Sequence, residues 1–256
     1  MIKTKMGSDN MKEKVVCLDA GHGGTDSGAV GYGRLEKDDN LKLAKSVGKK
    51  IKRYVDVIQT RTTDVFDSPS KKAEIGNEYG ADLFVSFHRN SSELEIANGY
   101  ETLVYSESGT GKYFADYINE EMVKIGFADR GTKKRPDLSV LKRTSMPAVL
   151  LETGFISNLK DNKTFDNRFE LISDAIASSI LYTLREDVTC AYHGYVIAKK
   201  KCPVRKGRSR TNRKIATIKK GERIKVWYVI ENNAGNKWGS VEINGKVGFI
   251  YMENVE

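Results

Sequence analysis

The chain has 256 residues, of which 39% are hydrophobic and 30% charged, and its formal net charge is +9. This length accommodates one large domain or two smaller ones, and no stretch approaches the roughly 18 consecutive apolar residues of a membrane-spanning helix. The three cysteines are too few for a disulfide framework or a zinc site built from cysteines alone.

The N-terminal segment 1–13 is polar and mixed in charge. It has neither the apolar core nor the small-residue cleavage site of a secretory signal. We therefore expect a disordered extension there, and synthesis in the cytoplasm without a signal peptide.

Strands and helices alternate from there to about residue 185. Apolar runs typical of buried strands occupy 15–19, 81–87 and 148–151. Apolar residues recur at helical spacing in 39–54, 111–125 and 169–184. The alternation predicts an α/β domain over residues 14–186, with a twisted, mainly parallel sheet and helices on both faces.

A different pattern follows a short linker that we place at 187–192. Short β-type runs separated by turn signals fill 193–256, and Asn244-Gly245 between two apolar runs is a strong hairpin signal. They predict a small all-β barrel. Residues 190–256 also carry 15 Lys and Arg against 5 Asp and Glu, a balance typical of domains that bind a polyanion.

Two of the three histidines follow predicted buried strands. His22 lies just after the first run, in the glycine-rich stretch 20–24. His88 directly follows the second run, and Glu152 directly follows the third. In open α/β sheets, ligands bind outside the carboxyl ends of the strands. Two imidazoles and a carboxylate delivered there indicate a metal-dependent hydrolytic site.

A catalytic zinc ion typically takes three protein ligands and keeps one position open for water. His22 and His88 supply two, and Glu36, just before the first helix, is the best placed third ligand. Glu152 is then left to carry the proton from water to the leaving amine.

Other acids near the first loop leave alternatives open. They are Asp19, Asp26, Asp38 and Asp39. The last two suit a helix N-terminus, where a carboxylate favours the exposed backbone N–H groups. Asp19 could instead accept a hydrogen bond that orients His22.

Several sequence strings carry a resemblance to a known family. They are Val16-Cys17-Leu18-Asp19-Ala20-Gly21-His22-Gly23-Gly24, Glu36-Lys37-Asp38 with Asn40-Leu41, Thr60-Arg61-Thr62, and the segments 81–90 and 146–158. In order and spacing they resemble the zinc-dependent N-acetylmuramoyl-L-alanine amidases, the third of the common amidase families.

The resemblance implies zinc held by His22, Glu36 and His88, with Glu152 as the catalytic acid and base. It also implies cleavage of the amide between the lactyl group of muramic acid and the L-alanine of the stem peptide. One departure is Arg89, where family members usually have a smaller or polar residue, and which could alter substrate contacts.

The C-terminal segment resembles the bacterial SH3-like cell-wall-binding domains. The resemblance rests on 220–226, 237–241 and 244–250, whereas 201–207 fits less well. It implies binding to peptidoglycan and to anionic wall polymers such as teichoic acids.

Two functions from different classes follow. The first is a lytic peptidoglycan hydrolase, an endolysin or autolysin, that reaches the wall after lysis of the cell that made it, or by secretion if a leader was removed. The alternative is a polyanion-binding module on an inactive hydrolase scaffold.

The glycine-rich stretch 21–24 could also be a loop that cradles phosphate, but the sequence lacks the Gly-Lys-Ser/Thr and G-x-G-x-x-G patterns of such loops. Nucleic acid is not expected as a partner, because the basic domain offers no recognition helix and no series of stacking aromatics. A membrane is not expected as a partner either, since no stretch of the sequence is long and apolar enough to span one.

Overall fold

The computed structural model describes residues 14–52, 54–184, 191–231, 236–244 and 246–256. The predicted extension 1–13 and residues 187–190 of the predicted linker lie outside the described residues.

The strands of the N-terminal part, in chain order, are β1 (Val15–Ala20), β2 (Val30–Gly31), β3 (Arg34–Leu35), β4 (Asp56–Gln59), β5 (Leu83–Asn90), β6 (Tyr100–Val104), β7 (Asp129–Lys134) and β8 (Ala148–Phe155). Strands β2 and β3 form a separate hairpin. The others form a six-stranded sheet in the order β4-β1-β5-β8-β6-β7.

This sheet is mixed, which refines the predicted mainly parallel sheet. Strands β4, β1, β5 and β8 run parallel, whereas β6 runs antiparallel to β8 and β7 follows the direction of β6. The connection between β5 and β6, residues 91–99, contains no helix. Parallel strands need a crossover of a dozen or more residues, so this short connection reverses the direction of the chain.

The helices are α1 (Glu36–Ile51), α2 (Pro69–Glu78), α3 (Gly109–Ile125), α4 (Ser139–Arg143), α5 (Leu159–Asn167) and α6 (Phe169–Leu184). Helix α1 begins three residues before the predicted range, with Glu36, Asp38 and Asp39 in its first turn, and carboxylates favour that end of a helix. Helix α2 was missed by the sequence analysis. Its start is marked by Ser68, whose hydroxyl accepts from the backbone N–H of Lys71, and by a proline in the first turn.

Helices cover both faces of the sheet, as predicted. Helices α1, α3 and α6 bury their apolar side chains against one face, together with alternate residues of β1, β5 and β8. The other face packs against α2 and α4 through a smaller cluster that contains Cys17, Phe84 and Leu141. Successive strand residues point to opposite faces of the sheet. Because both faces are covered by helices, most residues of the inner strands are apolar, which explains the continuous apolar runs in the sequence.

The C-terminal strands are β9 (Ala191–Ile197), β10 (Cys202–Arg205), β11 (Lys214–Ile218), β12 (Arg223–Glu231), β13 (Lys237–Ile243) and β14 (Lys246–Tyr251). They form one antiparallel sheet in the order β11-β10-β14-β13-β12-β9. The hairpin predicted at Asn244 joins β13 to β14, and Asn244 has a φ of 52°. The all-β character is thus confirmed. The SH3-like barrel stays a prediction, because an antiparallel sheet of this size is common to several all-β folds.

A buried carboxylate joins the two parts of the chain. Asp174 of α6 is 0% exposed and accepts hydrogen bonds from Lys50 Nζ of α1 and from Arg208 Nη2, each at 2.6 Å. Arg208 lies between β10 and β11, so this contact docks the C-terminal sheet onto the α1 and α6 face. In the described part of the chain, no helix combines the length and the apolar composition that crossing a bilayer requires.

Candidate metal centre

The backbone turns sharply where β1 ends. His22 has a φ of 60°, in the left-handed region that non-glycine residues seldom adopt, and Gly23 and Gly24 follow with φ of 138° and 55°. Such strain persists only where the surrounding structure holds it, and it is concentrated at functional sites. The turn places the His22 side chain just beyond the carboxyl end of β1.

Two buried cations hold the carbonyl groups of this turn. Arg61 donates from Nε to the carbonyl of Ala20 and from Nη2 to that of Gly21, both at 3.0 Å. Lys72 of α2 donates from Nζ to the carbonyls of Ala20 at 2.7 Å and His22 at 3.2 Å. These bonds fix the backbone on which His22 stands.

Asp19 lies beneath the turn and balances the charge of Lys72. It is 1% exposed, accepts hydrogen bonds from the hydroxyls of Thr60 and Ser86, and lies 3.2 Å from Lys72 Nζ. Burial alone would raise the pKa of the Asp19 carboxyl, but Lys72 and the hydroxyl of Ser86 outweigh it and lower this pKa. The hypothesis that Asp19 orients His22 is wrong, because the ring nitrogen Nδ1 of His22 is paired with Asp26 instead.

The three residues named as zinc ligands come together at the carboxyl ends of β1 and β5. Glu36 at the start of α1 is 4% exposed and lies between the two rings, with Oε2 3.2 Å from His22 Nε2 and Oε1 2.9 Å from His88 Nδ1. One ligand atom from each residue lies within 4.8 Å of the other two. Asp26 Oδ2 is 2.8 Å from His22 Nδ1, so Asp26 holds the orientation of that ring.

The electrostatics of this cluster suit a cation. Burial would raise the pKa of Glu36, but hydrogen bonds with His22 and His88 hold it far below its usual value. Burial lowers the pKa of His22, yet Glu36 and Asp26 outweigh it and raise it to about 9. Two imidazoles and one carboxylate are a donor set that zinc takes in catalytic sites. The residues present therefore fit a zinc ion.

Glu152 on β8 lies beside the cluster. It is paired in register with His88 on β5 and with Glu101 on β6, and neighbouring strands are about 4.8 Å apart. Within the described residues, its buried Oε2 has no hydrogen-bond partner. Burial raises the pKa of Glu152 to about 7, against an opposing effect of His88. A carboxyl group with this pKa can both accept and release a proton near neutral pH.

The backbone N–H of Arg89 donates to Glu36 Oε1 at 3.1 Å, but its side chain points away from the site, although the sequence suggested altered substrate contacts there. Its side chain is buried, with Nη1 2.6 Å from Asp39 Oδ2, Nη2 2.7 Å from Asn162 Oδ1, and the guanidinium 4.3 Å from the centre of the Phe165 ring. Side chains alternate between faces along a strand, so Arg89 points away from its neighbour His88. Its role is to anchor α1 and α5 beneath the sheet.

Comparisons with known proteins show the family of this chain. A family model described as N-acetylmuramoyl-L-alanine amidase matches residues 16–182. The chain belongs to this amidase family. The matched range contains His22, Glu36, His88 and Glu152, so the resemblance seen in the sequence is confirmed at the level of the family.

Relatives of this amidase-family chain include phage and bacterial proteins. It is 44% identical over 170 residues to the endolysin of Bacillus phage SPP1, covering 63% of this chain and 61% of that protein. It is 36% identical over 152 residues to the N-acetylmuramoyl-L-alanine amidase LytC of Bacillus subtilis, covering 58% of this chain and 30% of LytC. The chain thus spans less than two thirds of the length of either relative.

Solved structures match the same part of the amidase-family chain. The catalytic domain of the amidase CwlV from Bacillus (Paenibacillus) polymyxa var. colistinus is 36% identical, with a TM-score of 0.62, covering 67% of this chain and 98% of that domain. The solved structure of the amidase AmiC2 of Nostoc punctiforme is 34% identical, with a TM-score of 0.63, covering 67% of this chain and 97% of the chain in that structure.

Two residues at this site were not assigned a role by the sequence analysis. Lys72 was missed because a lysine on a short helix reads as a solvated residue, and only the fold shows it buried at 3% exposure. Arg61 was noted only as part of a motif string, whereas the structure shows it bonded to the turn that carries His22. Asp26 was considered as a ligand, and the structure places it behind the His22 ring instead.

Gly21 leaves no room for a side chain, which gives a first testable prediction. A Cβ at this position would lie 2.4 Å from His88 Nε2 and 2.7 Å from the carbonyl oxygen of Phe87. We expect Gly21→Ala to displace the His88 ring and to lower zinc affinity by about 10- to 100-fold, the range seen when residues that support metal ligands are changed. The measurement is zinc affinity by competition with a chromophoric chelator.

Gly111→Ala is the matched control for this prediction. Gly111 lies in α3 and its Cβ would approach no atom closer than 3.2 Å. Its zinc affinity should equal that of the wild type. Equal affinities for both variants and the wild type would show that Gly21 does not shape the site.

Proposed function

We propose that this chain hydrolyses the amide bond between N-acetylmuramic acid and the L-alanine of the stem peptide in peptidoglycan, as a zinc-dependent amidase. The observation that carries the proposal is the cluster of His22, Glu36 and His88 with Glu152 at its side, in a chain of the amidase family. The relatives named as an endolysin and as an N-acetylmuramoyl-L-alanine amidase support a lytic role.

The contacts of the site residues support a separate role for each of them in this reaction. His22, Glu36 and His88 would hold the zinc ion, with Asp26 keeping the His22 ring in place. When bound, zinc supplies a Lewis acid for the scissile carbonyl and a water molecule of lowered pKa. Glu152 accepts a proton from the attacking water and delivers it to the nitrogen of the leaving L-alanine.

The proposal extends to the organisation of the whole chain. Residues 14–186 form the catalytic domain, and 193–256 form an SH3-like domain that tethers it to peptidoglycan and to anionic wall polymers. Tethering raises the local concentration of substrate without any new contact at the active site. The protein acts on the wall after release by lysis, or after secretion.

Digestion of purified Gram-positive wall, with and without a chelator such as EDTA, tests this proposal. We expect new alanine amino termini, loss of their release on chelation, and recovery on addition of zinc. Free reducing sugar ends, scored separately, should not increase. Release of reducing ends would identify a glycan-cleaving enzyme instead, and wall binding without any product would indicate a binding protein on an inactive scaffold.

A further inference from the structure

Helix α1 carries a stripe of lysines along one face. Lys42, Lys45, Lys49 and Lys52 are all exposed and are separated by three, four and three residues. Residues spaced three or four apart share a helix face. At 1.5 Å per residue the stripe is roughly 15 Å long.

Three lysines of this stripe, Lys42, Lys45 and Lys49, form one wall of a cleft whose other wall belongs to the C-terminal sheet. The cleft has a volume of about 750 Å³. Its cations are Lys42, Lys45, Lys49, Lys50, Lys206 and Arg208. The one acid among its lining residues is Glu170, and apolar groups come from Phe169, Val247 and Phe249.

Much of the positive charge in this cleft is not balanced by carboxylates. Lys50 pairs with Glu170 and Asp174, and Arg208 also pairs with Asp174. Lys45 donates to the carbonyl of Thr62. Among the described residues, no carboxylate lies within ion-pair distance of Lys42, Lys45, Lys49 or Lys206. A concave site lined with one sign of charge concentrates ligands of the opposite sign.

We propose that this cleft binds a phosphodiester polyanion of the bacterial wall, the chemistry of teichoic acids. The inference rests on the proposed wall-lytic function for the source of the polymer. An extended chain of phosphates matches a linear row of cations. The binding site is thus shared between α1 and the C-terminal sheet, rather than confined to the basic C-terminal part.

The aromatic groups of the cleft argue against nucleic acid. Single-stranded nucleic acids bind by stacking bases on accessible aromatic rings. The Lys42 ammonium lies over the ring of Phe169 at 4.6 Å, and the Arg208 guanidinium lies over the ring of Phe249 at 5.0 Å. Phe249 is also buried, at 4% exposure. Neither ring offers an open face for a base, whereas their cations remain suited to phosphate.

The test is binding of the full chain to poly(glycerol phosphate), prepared from delipidated lipoteichoic acid, by isothermal titration calorimetry over a series of NaCl concentrations. The cleft variant is the triple substitution Lys42→Gln, Lys45→Gln and Lys49→Gln. Three lost phosphate contacts should make the slope of log affinity against log salt shallower by about 2 and weaken binding by about tenfold at low salt.

The matched control removes the same charge from exposed lysines that lie outside both the cleft and the C-terminal part, by Lys134→Gln, Lys142→Gln and Lys163→Gln. We expect this control to bind as the wild type does. Equal weakening by the two triple variants would overturn the proposal, because it would show a general charge effect. Lys206→Gln tests the opposite wall and should weaken binding by itself, and thermal unfolding of each variant checks its fold.

Two further probes decide the class of ligand. A single-stranded oligonucleotide of equal charge, or vesicles with anionic lipids, should bind more weakly than poly(glycerol phosphate), and tighter binding of either would overturn the assignment. Hydrolysis of a soluble muramoyl peptide is measured separately. Hydrolysis without polymer binding contradicts this inference alone, whereas cleft-dependent binding without hydrolysis contradicts the proposed function alone.

Discussion

Glu152→Gln is expected to lower the rate of amide hydrolysis by about 10²–10⁴, the usual contribution of a general acid and base. The amide has nearly the same shape as the carboxylic acid, but it cannot take a proton from water or deliver one to the leaving nitrogen. Since the proposed ligands are His22, Glu36 and His88, the variant should still bind one zinc ion per chain. The measurements are kcat on a soluble muramoyl peptide and metal content after dialysis.

Glu107→Gln is the matched control for that substitution. Glu107 is exposed and follows the end of β6. Because β6 runs antiparallel to β8, this end lies at the edge of the sheet remote from the metal centre. The control should hydrolyse at the wild-type rate. A Glu152→Gln enzyme of undiminished kcat would remove Glu152 from the mechanism, and loss of zinc would assign it to the metal site instead.

Lys72→Met should lower the free energy of unfolding by about 3–5 kcal/mol, the cost of leaving one partner of a buried ion pair without the other. Asp19 would remain buried at 1% exposure, with its charge no longer balanced by Lys72. The carbonyls of Ala20 and His22 would also lose a donor, so zinc affinity should fall as well. Denaturant unfolding monitored by circular dichroism gives the stability.

The neighbouring lysine provides the control for this prediction. Lys71 is exposed and pairs with Glu74 on the same helix, so Lys71→Met should change stability little. Adding Asp19→Asn to Lys72→Met should recover part of the loss, because the unpaired charge is removed. Equal stabilities for the Lys71 and Lys72 variants, or no recovery in the double variant, would show that the ion pair does not carry this stability.

The sequence predicted the parts of the fold that depend on local patterns. Continuous apolar runs marked β1, β5 and β8, and because parallel strands end at the same edge, His22 and His88 were expected to meet. The reversal at β6 could not be read, since it depends on the absence of a helix between two strands that are not neighbours in the sheet. Helix α2, in contrast, could have been predicted from the sequence. Its start is marked by a local signal, the helix cap at Ser68-Pro69, which was overlooked.

The supporting residues of the site were harder to predict than the proposed ligands. Ligand types stand out because histidine is scarce here, with 3 in the chain. Lys72, Arg61 and Arg89 are common surface residue types, and their burial depends on tertiary contacts with carbonyls and carboxylates distant in sequence. A charged residue is expected to be solvated until the fold supplies such partners.

The contact of Asp174 limits how modular this chain is. Its carboxylate is wholly enclosed and is held from one side by Lys50 of helix α1 and from the other by Arg208 of the C-terminal part. A fragment that ends after α6, or a chimera with a different C-terminal module, would uncover this helix face and lose one of the two cations. A transplanted module would therefore need its own cation at the equivalent place to pair with Asp174. The two parts of the chain are thus specific to each other and cannot be exchanged freely.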